Sequence, residues 1–167
     1  MKNLTKYMSY FCCIAFLCVS CKPSAADKQK EIAQMEENTY EVYDTTLLNQ
    51  LISAYKDYVK AFPQDSLSPE YLLRAGCIEI KLGKGGDAIQ HFDRIINYYP
   101  QYEKLPEVYY YKAYTYEAVI FDIAQARAGY TEFINRFPEH SMVTDAQLSI
   151  KYLGMSPEEI VASFNLE

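Results

Sequence analysis

Two related passages decide the fold of this chain: SPEYLLRAGCIEIKLGKGGDAIQHFDRIINYYP (residues 68–100) and PEVYYYKAYTYEAVIFDIAQARAGYTEFINRFP (residues 106–138). An aromatic residue followed by proline closes each passage and also precedes the first, at Phe62-Pro63, Tyr99-Pro100 and Phe137-Pro138. The pair therefore recurs after 37 residues (62 to 99) and then after 38 residues (99 to 137). A period of this length is typical of arrays of helical hairpins.

Small and aromatic residues within each passage occupy positions that suit close packing of two helices. Ala88 and Ala126 lie early in the second helix of each hairpin, and Phe92 and Tyr130 follow four residues later on the same face. A leucine in place of either alanine would overpack the contact, at a cost of about 1–3 kcal/mol. The predicted repeat-packing residues are Leu51, Tyr55, Gly76, Ala88, Phe92, Pro100, Ala113, Ala126, Tyr130 and Pro138.

The order of these residues resembles the tetratricopeptide repeat family. Each passage has a large residue, then two positions that are small in the family, an alanine, an aromatic residue and a closing proline; the first three are Leu72, Ala75 and Gly76, then Tyr110, Ala113 and Tyr114. The resemblance implies an all-α fold, a short α-solenoid of antiparallel helical hairpins with about two and a half repeats and a C-terminal capping helix. Tyr114 departs from the family's glycine, so we expect a wider or shifted helix contact there.

The sequence divides into a signal, a polar tether and a helical domain. Residues 45–167 form the predicted domain, which consists of a half unit (45–63), two units (68–100 and 106–138) and capping helices (141–166). Apolar residues recur every three or four positions in the half unit, as in an amphipathic helix. Residues 21–44 are polar with few apolar positions, and we expect a frayed helix or a disordered tether there.

The N-terminus predicts export and a lipid anchor. Lys2 and Lys6 precede an apolar segment of about 12 residues, which is shorter than the roughly 20 residues of a spanning helix. Residues 1–20 end in a serine before Cys21, which resembles the bacterial lipoprotein signal and implies diacylation of Cys21. The alternative is cleavage near Ala26, which would release a soluble secreted protein.

Signal and repeats together are similar to cell-envelope tetratricopeptide lipoproteins of Gram-negative bacteria. That class includes the lipoprotein of the outer-membrane β-barrel assembly machinery, whose family has more units, and the coordinator of the Tol-Pal system. Residues 22–44 of this chain show no convincing heptad pattern, so we assign neither role. The resemblance implies an outer-membrane lipoprotein on the periplasmic face.

Composition and motifs argue against nucleic-acid binding, catalysis, metal binding and cofactors. The net charge is −6, and an acidic chain repels phosphate backbones. His91 and His140 have no further histidine or cysteine at ligand spacing, and Cys77 is the single cysteine beyond residue 21. The glycine-rich segment 83–86 follows a predicted helix and lacks the Gly-Lys-Ser/Thr ending of a phosphate loop, which favours a hairpin turn.

The predicted function is therefore a non-catalytic scaffold for protein–protein interaction. In the resembled family the first helices of successive units line a groove for a peptide or a helix, which implies an envelope protein as the partner. Three consecutive tyrosines (109–111) cannot all point into one helix interface, so we predict a binding face formed by Lys81, Tyr111, Lys112 and Thr115. Packing of these tyrosines on neighbouring helices is the competing interpretation. Two other functions stay open, a holder of a small ligand or glycan on a tyrosine-rich face, and an accessory subunit of a larger machine.

Overall fold

The computed structural model of the chain describes residues 23–40 and 44–164. These residues form eight α-helices and one π-helical turn: α1 (Ala25–Tyr40), α2 (Thr45–Ala61), α3 (Ser68–Lys81), α4 (Gly85–Tyr98), α5 (Leu105–Thr115), the π-helical turn (Tyr116–Ile120), α6 (Ile123–Arg136), α7 (Val143–Tyr152) and α8 (Pro157–Phe164). Each helix from α1 to α6 packs against the next one. The result is the predicted all-α solenoid of helical hairpins. None of the helices described is long and apolar enough to cross a membrane.

The aromatic-proline pairs end the second helix of each hairpin. The backbone N–H groups of Phe62, Tyr99 and Phe137 still donate to the carbonyl oxygen four residues earlier. The proline that follows has no N–H to continue the helix, so the chain turns toward the next hairpin. Proline then returns in the first turn of α3 and α5, where a missing N–H costs nothing.

Two clusters of buried side chains form the core. The first extends from α1 to α5 and includes Tyr58 and Phe92, while the second joins α5, α6 and α7 around Tyr130 and Phe133. Of the predicted repeat-packing residues, eight are buried, namely Leu51, Tyr55, Gly76, Ala88, Phe92, Ala113, Ala126 and Tyr130. Pro100 and Pro138 are exposed just after the ends of α4 and α6, consistent with a role in stopping the helices rather than filling the core.

The predicted polar tether differs from the structure, which has a packed helix there. Helix α1 lies against α2, and Ile32 is only 2% exposed. On the same face, the Gln29 amide donates to the Tyr58 hydroxyl at 2.6 Å and the Tyr55 hydroxyl donates to Glu36 at 2.6 Å. Because polar side chains of α1 satisfy these tyrosine hydroxyls, the helix packs with little apolar surface. The predicted half unit thus has a first helix and forms a complete hairpin.

The extra residue of the second repeat is absorbed in a π-helical turn. Pro69 and Gly83 lie 14 positions apart, whereas Pro106 and Phe121 lie 15 apart. The backbone N–H of Phe121 donates to the Tyr116 carbonyl, five residues earlier, which closes the wider turn. Phe121 then takes a left-handed conformation with φ 61°, which matches φ 72° at Gly83 in the first repeat.

The closest approach at a glycine involves a different helix in each repeat, and the wider or shifted contact expected at Tyr114 stays a prediction. In the first repeat the close approach involves Gly76, where an added Cβ would lie 2.5 Å from Cε1 of Phe92. In the second repeat it lies at Gly129, where an added Cβ would be 2.9 Å from Cβ of Ala113. Tyr114 itself is exposed.

Candidate functional site

The structure does not assemble the four residues of the predicted binding face into one surface. Lys81 is exposed at the end of α3, whereas Tyr111 is partly buried against the first core cluster. Nζ of Lys112 lies 2.6 Å from Oδ1 of Asp93 on α4, so this lysine joins two helices. Thr115 was wrongly predicted to meet a partner, because it is fully buried and its hydroxyl donates to the Tyr111 carbonyl at 2.7 Å.

The three consecutive tyrosines pack on different neighbours. Tyr109 contacts Phe137 with its ring edge, at 5.5 Å between centroids, and Tyr110 contacts Tyr130 in the same way, also at 5.5 Å. Tyr111 packs against the first core cluster, and burial raises its pKa. They do point in different directions, as expected, but each finds a neighbour, which favours packing over ligand binding.

A network of charged and hydroxyl groups connects the first helices of the three hairpins. On α3, Arg74 lies 2.6 Å from Glu36 of α1 and 2.8 Å from Glu70. Glu70 also accepts from the Tyr102 hydroxyl at 2.5 Å and from Lys104 at 2.9 Å, just before α5. We call Glu36, Glu70, Arg74, Tyr102 and Lys104 the inner network.

The inner network keeps Glu70 ionised and its two cations accessible. Burial raises the pKa of Glu70, but the hydrogen bonds from Tyr102, Lys104 and Arg74 outweigh burial and lower the pKa to about 2. The side chains of Arg74 and Lys104 are still 44% and 42% exposed. Both cations can therefore meet a carboxylate of a partner while they hold the helices together.

Only part of this network could be found in the sequence. Glu70 and Arg74 lie four positions apart on one predicted helix, which is a recognisable ion-pair spacing. Glu36 pairs with Arg74, 38 residues away, and Lys104 pairs with Glu70, 34 residues away, because the stacking of hairpins brings them together. No local sequence pattern predicts these contacts between hairpins.

Two surface pockets flank the end of α4. One, of about 690 Å³, is lined by Glu70, Arg74, Tyr99 and Tyr102 among others. The other, of about 630 Å³, includes Pro63 and Arg94, and both are lined by Tyr98. Tyr98 is 75% exposed. It therefore presents an aromatic ring to solvent between the two pockets.

The titratable groups considered for chemistry are structural. Burial raises the pKa of the Cys77 thiol to about 11, so it stays protonated at neutral pH and is a poor nucleophile. His91 is buried inside the hairpin, where its Nε2 lies 3.3 Å from Oε2 of Glu79 on α3. Within residues 23–40 and 44–164, no group of three or more histidine, cysteine, aspartate or glutamate side chains could hold a metal ion.

The stacked hairpins and their linked first helices define the chain as a helical-repeat protein. A family model of the tetratricopeptide repeat matches residues 70–102 and 107–140, which correspond to α3–α4 and α5–α6. The match supports the resemblance deduced from the sequence, and repeats of this kind suggest a scaffold for protein–protein interaction. A search of curated proteins gave no match to this chain.

Proposed function

We propose that this chain is a non-catalytic interaction scaffold, anchored by a lipid on Cys21 at the periplasmic face of the outer membrane. Its partner is an envelope protein of an assembly, division or secretion machinery, bound through a peptide or a helix. Support for the anchor comes from the sequence alone, because Cys21 lies outside the residues that the structure describes. The observation that carries the scaffold is the pair of consecutive repeat matches.

The proposed docking surface lies on α3. Arg74 and Lys81 are seven residues apart, which is close to two helical turns, so they share a face about 10 Å apart along the axis. Both side chains are exposed there. A partner segment that carries acidic groups at a similar spacing would pair with both.

Crosslinking in cells tests the anchor and the docking surface together. The protein is purified through a C-terminal tag after a mild crosslink, and mass spectrometry identifies the partners and the mature N-terminus. We expect a diacylated Cys21 and one dominant envelope protein. Lys81→Glu should reduce recovery of that protein several-fold, because it reverses an exposed charge on the docking surface.

Lys56→Glu is the matched control. Lys56 is equally an exposed helical lysine, but it lies on α2, a second helix. Recovery should be unchanged in this variant. A mature N-terminus beyond Ala26 would refute the anchor, and equal losses in both variants would refute the docking surface.

The pocket of about 690 Å³ beside Tyr98 and Tyr102 favours a second candidate function. In this alternative, the lipoprotein holds a small ligand or a glycan against tyrosine rings, which stack well on apolar faces. Native mass spectrometry of the purified protein would detect a retained small molecule. Its loss in Tyr98→Ala, with no protein partner crosslinked, would replace the scaffold by this function.

A further inference from the structure

Helix α1 begins very close to the proposed lipid-bearing residue. The helix starts at Ala25, and Ser24 caps it: its hydroxyl oxygen accepts from the Asp27 N–H at 3.2 Å, and its own N–H donates to the Asp27 carboxylate at 3.0 Å. The four residue steps from Cys21 to Ala25 span at most about 14 Å when fully extended. Because α1 is packed into the first hairpin through Ile32, the start of α1 and the part of the domain beside it stay within about 14 Å of a lipid-bearing Cys21.

The start of α1 lies on one particular edge of the array. Since the helices alternate in direction, α1, α3, α5 and α7 begin at this edge, and α2, α4 and α6 end there. The connections between hairpins lie side by side: the Ser68 hydroxyl donates to the Phe62 carbonyl at 2.6 Å, and the Tyr99 hydroxyl donates to the Pro63 carbonyl at 2.9 Å. We call residues 62–67, 98–104 and 137–142 the connection edge.

The connection edge carries an exposed aromatic residue with a polar tip. Tyr98 ends α4 and is 75% exposed. Arg94 lines the pocket on one side of it, and Lys104, which is held by Glu70, lines the pocket on the other. Tyrosine is enriched at the level of lipid headgroups, where its ring meets apolar groups and its hydroxyl meets water, and basic side chains pair there with phosphate.

We propose that the connection edge lies against the bilayer and that Tyr98 reaches the headgroup region. This inference rests on the proposed lipid anchor at Cys21. The turns within the hairpins lie at the opposite edge, where Phe121 is 76% exposed. That edge faces away from the membrane, and the first helices stay accessible from the side.

The chain contains no tryptophan, so one introduced tryptophan reports on one place. We would compare Tyr98→Trp with Phe121→Trp, since the two native side chains are 75% and 76% exposed on opposite edges. The full-length lipidated proteins are reconstituted into phosphatidylethanolamine and phosphatidylglycerol vesicles with acyl chains brominated near the glycerol. We expect a blue-shifted emission for Tyr98→Trp and quenching at least about twofold stronger than for Phe121→Trp. Equal quenching, or stronger quenching at position 121, would overturn the orientation.

A longer tether separates the effect of the anchor from any intrinsic affinity of Tyr98 for lipid. Twenty Gly/Ser residues inserted between Lys22 and Pro23 would add a root-mean-square reach of about 25 Å. Quenching of Tyr98→Trp should then fall to the level of Phe121→Trp, and unchanged quenching would overturn the role of the short connection.

Mass spectrometry of the mature N-terminus on the same samples distinguishes the two proposals. An unmodified N-terminus would refute the lipid anchor and the orientation with it. A diacylated Cys21 without selective quenching at position 98 would refute the orientation and leave the anchored scaffold in place.

Discussion

Gly76 sets the distance between α3 and α4 because it has no side chain. A Cβ at this position would lie 2.5 Å from Cε1 and 2.7 Å from Cζ of Phe92. Phe92 is fully buried and cannot rotate into solvent. The ring of Phe92 therefore occupies the space that any other residue at position 76 would need.

Gly76→Ala should destabilise the protein although alanine is the better helix former. Helix propensity favours the substitution by about 1 kcal/mol, whereas overpacking in a filled core costs about 1–3 kcal/mol. Because the contact with Phe92 is so close, we expect the upper part of the difference, a net loss of about 1–2 kcal/mol in the free energy of unfolding, measured by urea denaturation. The control is Gly86→Ala in α4, where an added Cβ meets nothing within 4 Å. This control should be neutral or stabilising, and an equal loss in both variants would contradict the explanation.

The sequence was informative about packing residues and uninformative about exposed ones. The spacing of Ala88, Phe92 and Pro100 recurs because the two helices of each repeat pack against each other in the same way. The pattern is therefore visible in the sequence. The exposure of Lys112 and Thr115 depends on which side chains of other helices pack against them. Asp93 of α4 engages Lys112, and no feature of the sequence around residue 112 predicts that contact.

At the scale of elements, α1 shows how a polar helix becomes part of a core. Its buried face presents Gln29, Ile32 and Glu36, at helical spacing of three and four residues. Two of these three are polar, so hydrophobic periodicity fails to detect the face. The information lies in the tyrosines of α2, whose hydroxyls need partners when buried.

Ile32→Ala tests whether α1 is integral to the fold. Removing a buried isoleucine side chain typically costs about 2–5 kcal/mol, and the midpoint of urea denaturation should fall accordingly. Glu31→Ala, at the neighbouring exposed position, should change the free energy of unfolding by less than about 0.5 kcal/mol. Equal, small effects of the two substitutions would mean that α1 behaves as the tether that its composition suggested.

The sequence indicated one additional residue in the second repeat, but it did not indicate that a π-helical turn at Tyr116–Ile120 would accommodate it. The change of period from 37 to 38 residues required one additional residue somewhere in the second repeat. A longer loop would have accommodated it equally well. In the structure the additional residue lies in the π-helical turn that ends the first helix of the second repeat. Phe121 therefore occupies the position that Gly83 has in the first repeat, and it takes the same left-handed conformation.

At the scale of the whole molecule, tyrosine hydroxyls tie successive helices together. Three of them donate to carboxylates at 2.5–2.6 Å: Tyr55 to Glu36, Tyr102 to Glu70 and Tyr130 to Glu117. Each pair joins two different segments of the array, and the three pairs are distributed from the first hairpin to the third. Deprotonation of the phenols would place negative charge beside each carboxylate along the whole solenoid.

The stability of the array should therefore fall at alkaline pH. Burial first, and then the carboxylate acceptor, raises the pKa of Tyr55, Tyr102 and Tyr130 above the ordinary value of 10.0. The folded state thus retains protons that the unfolded state releases above pH 10, so stability is fully present below this pH and is lost as pH rises further. Exposed tyrosines such as Tyr98 can ionise without unfolding, so only the last part of the rise in phenolate absorbance should coincide with the loss of helical circular dichroism, because the three carboxylate-bound phenols ionise only when the array opens. Tyr130→Phe should make the fall in stability with pH less steep, whereas Tyr114→Phe, at an exposed position, should leave the slope unchanged. Full ionisation of the tyrosines with the helical signal intact would contradict the interpretation.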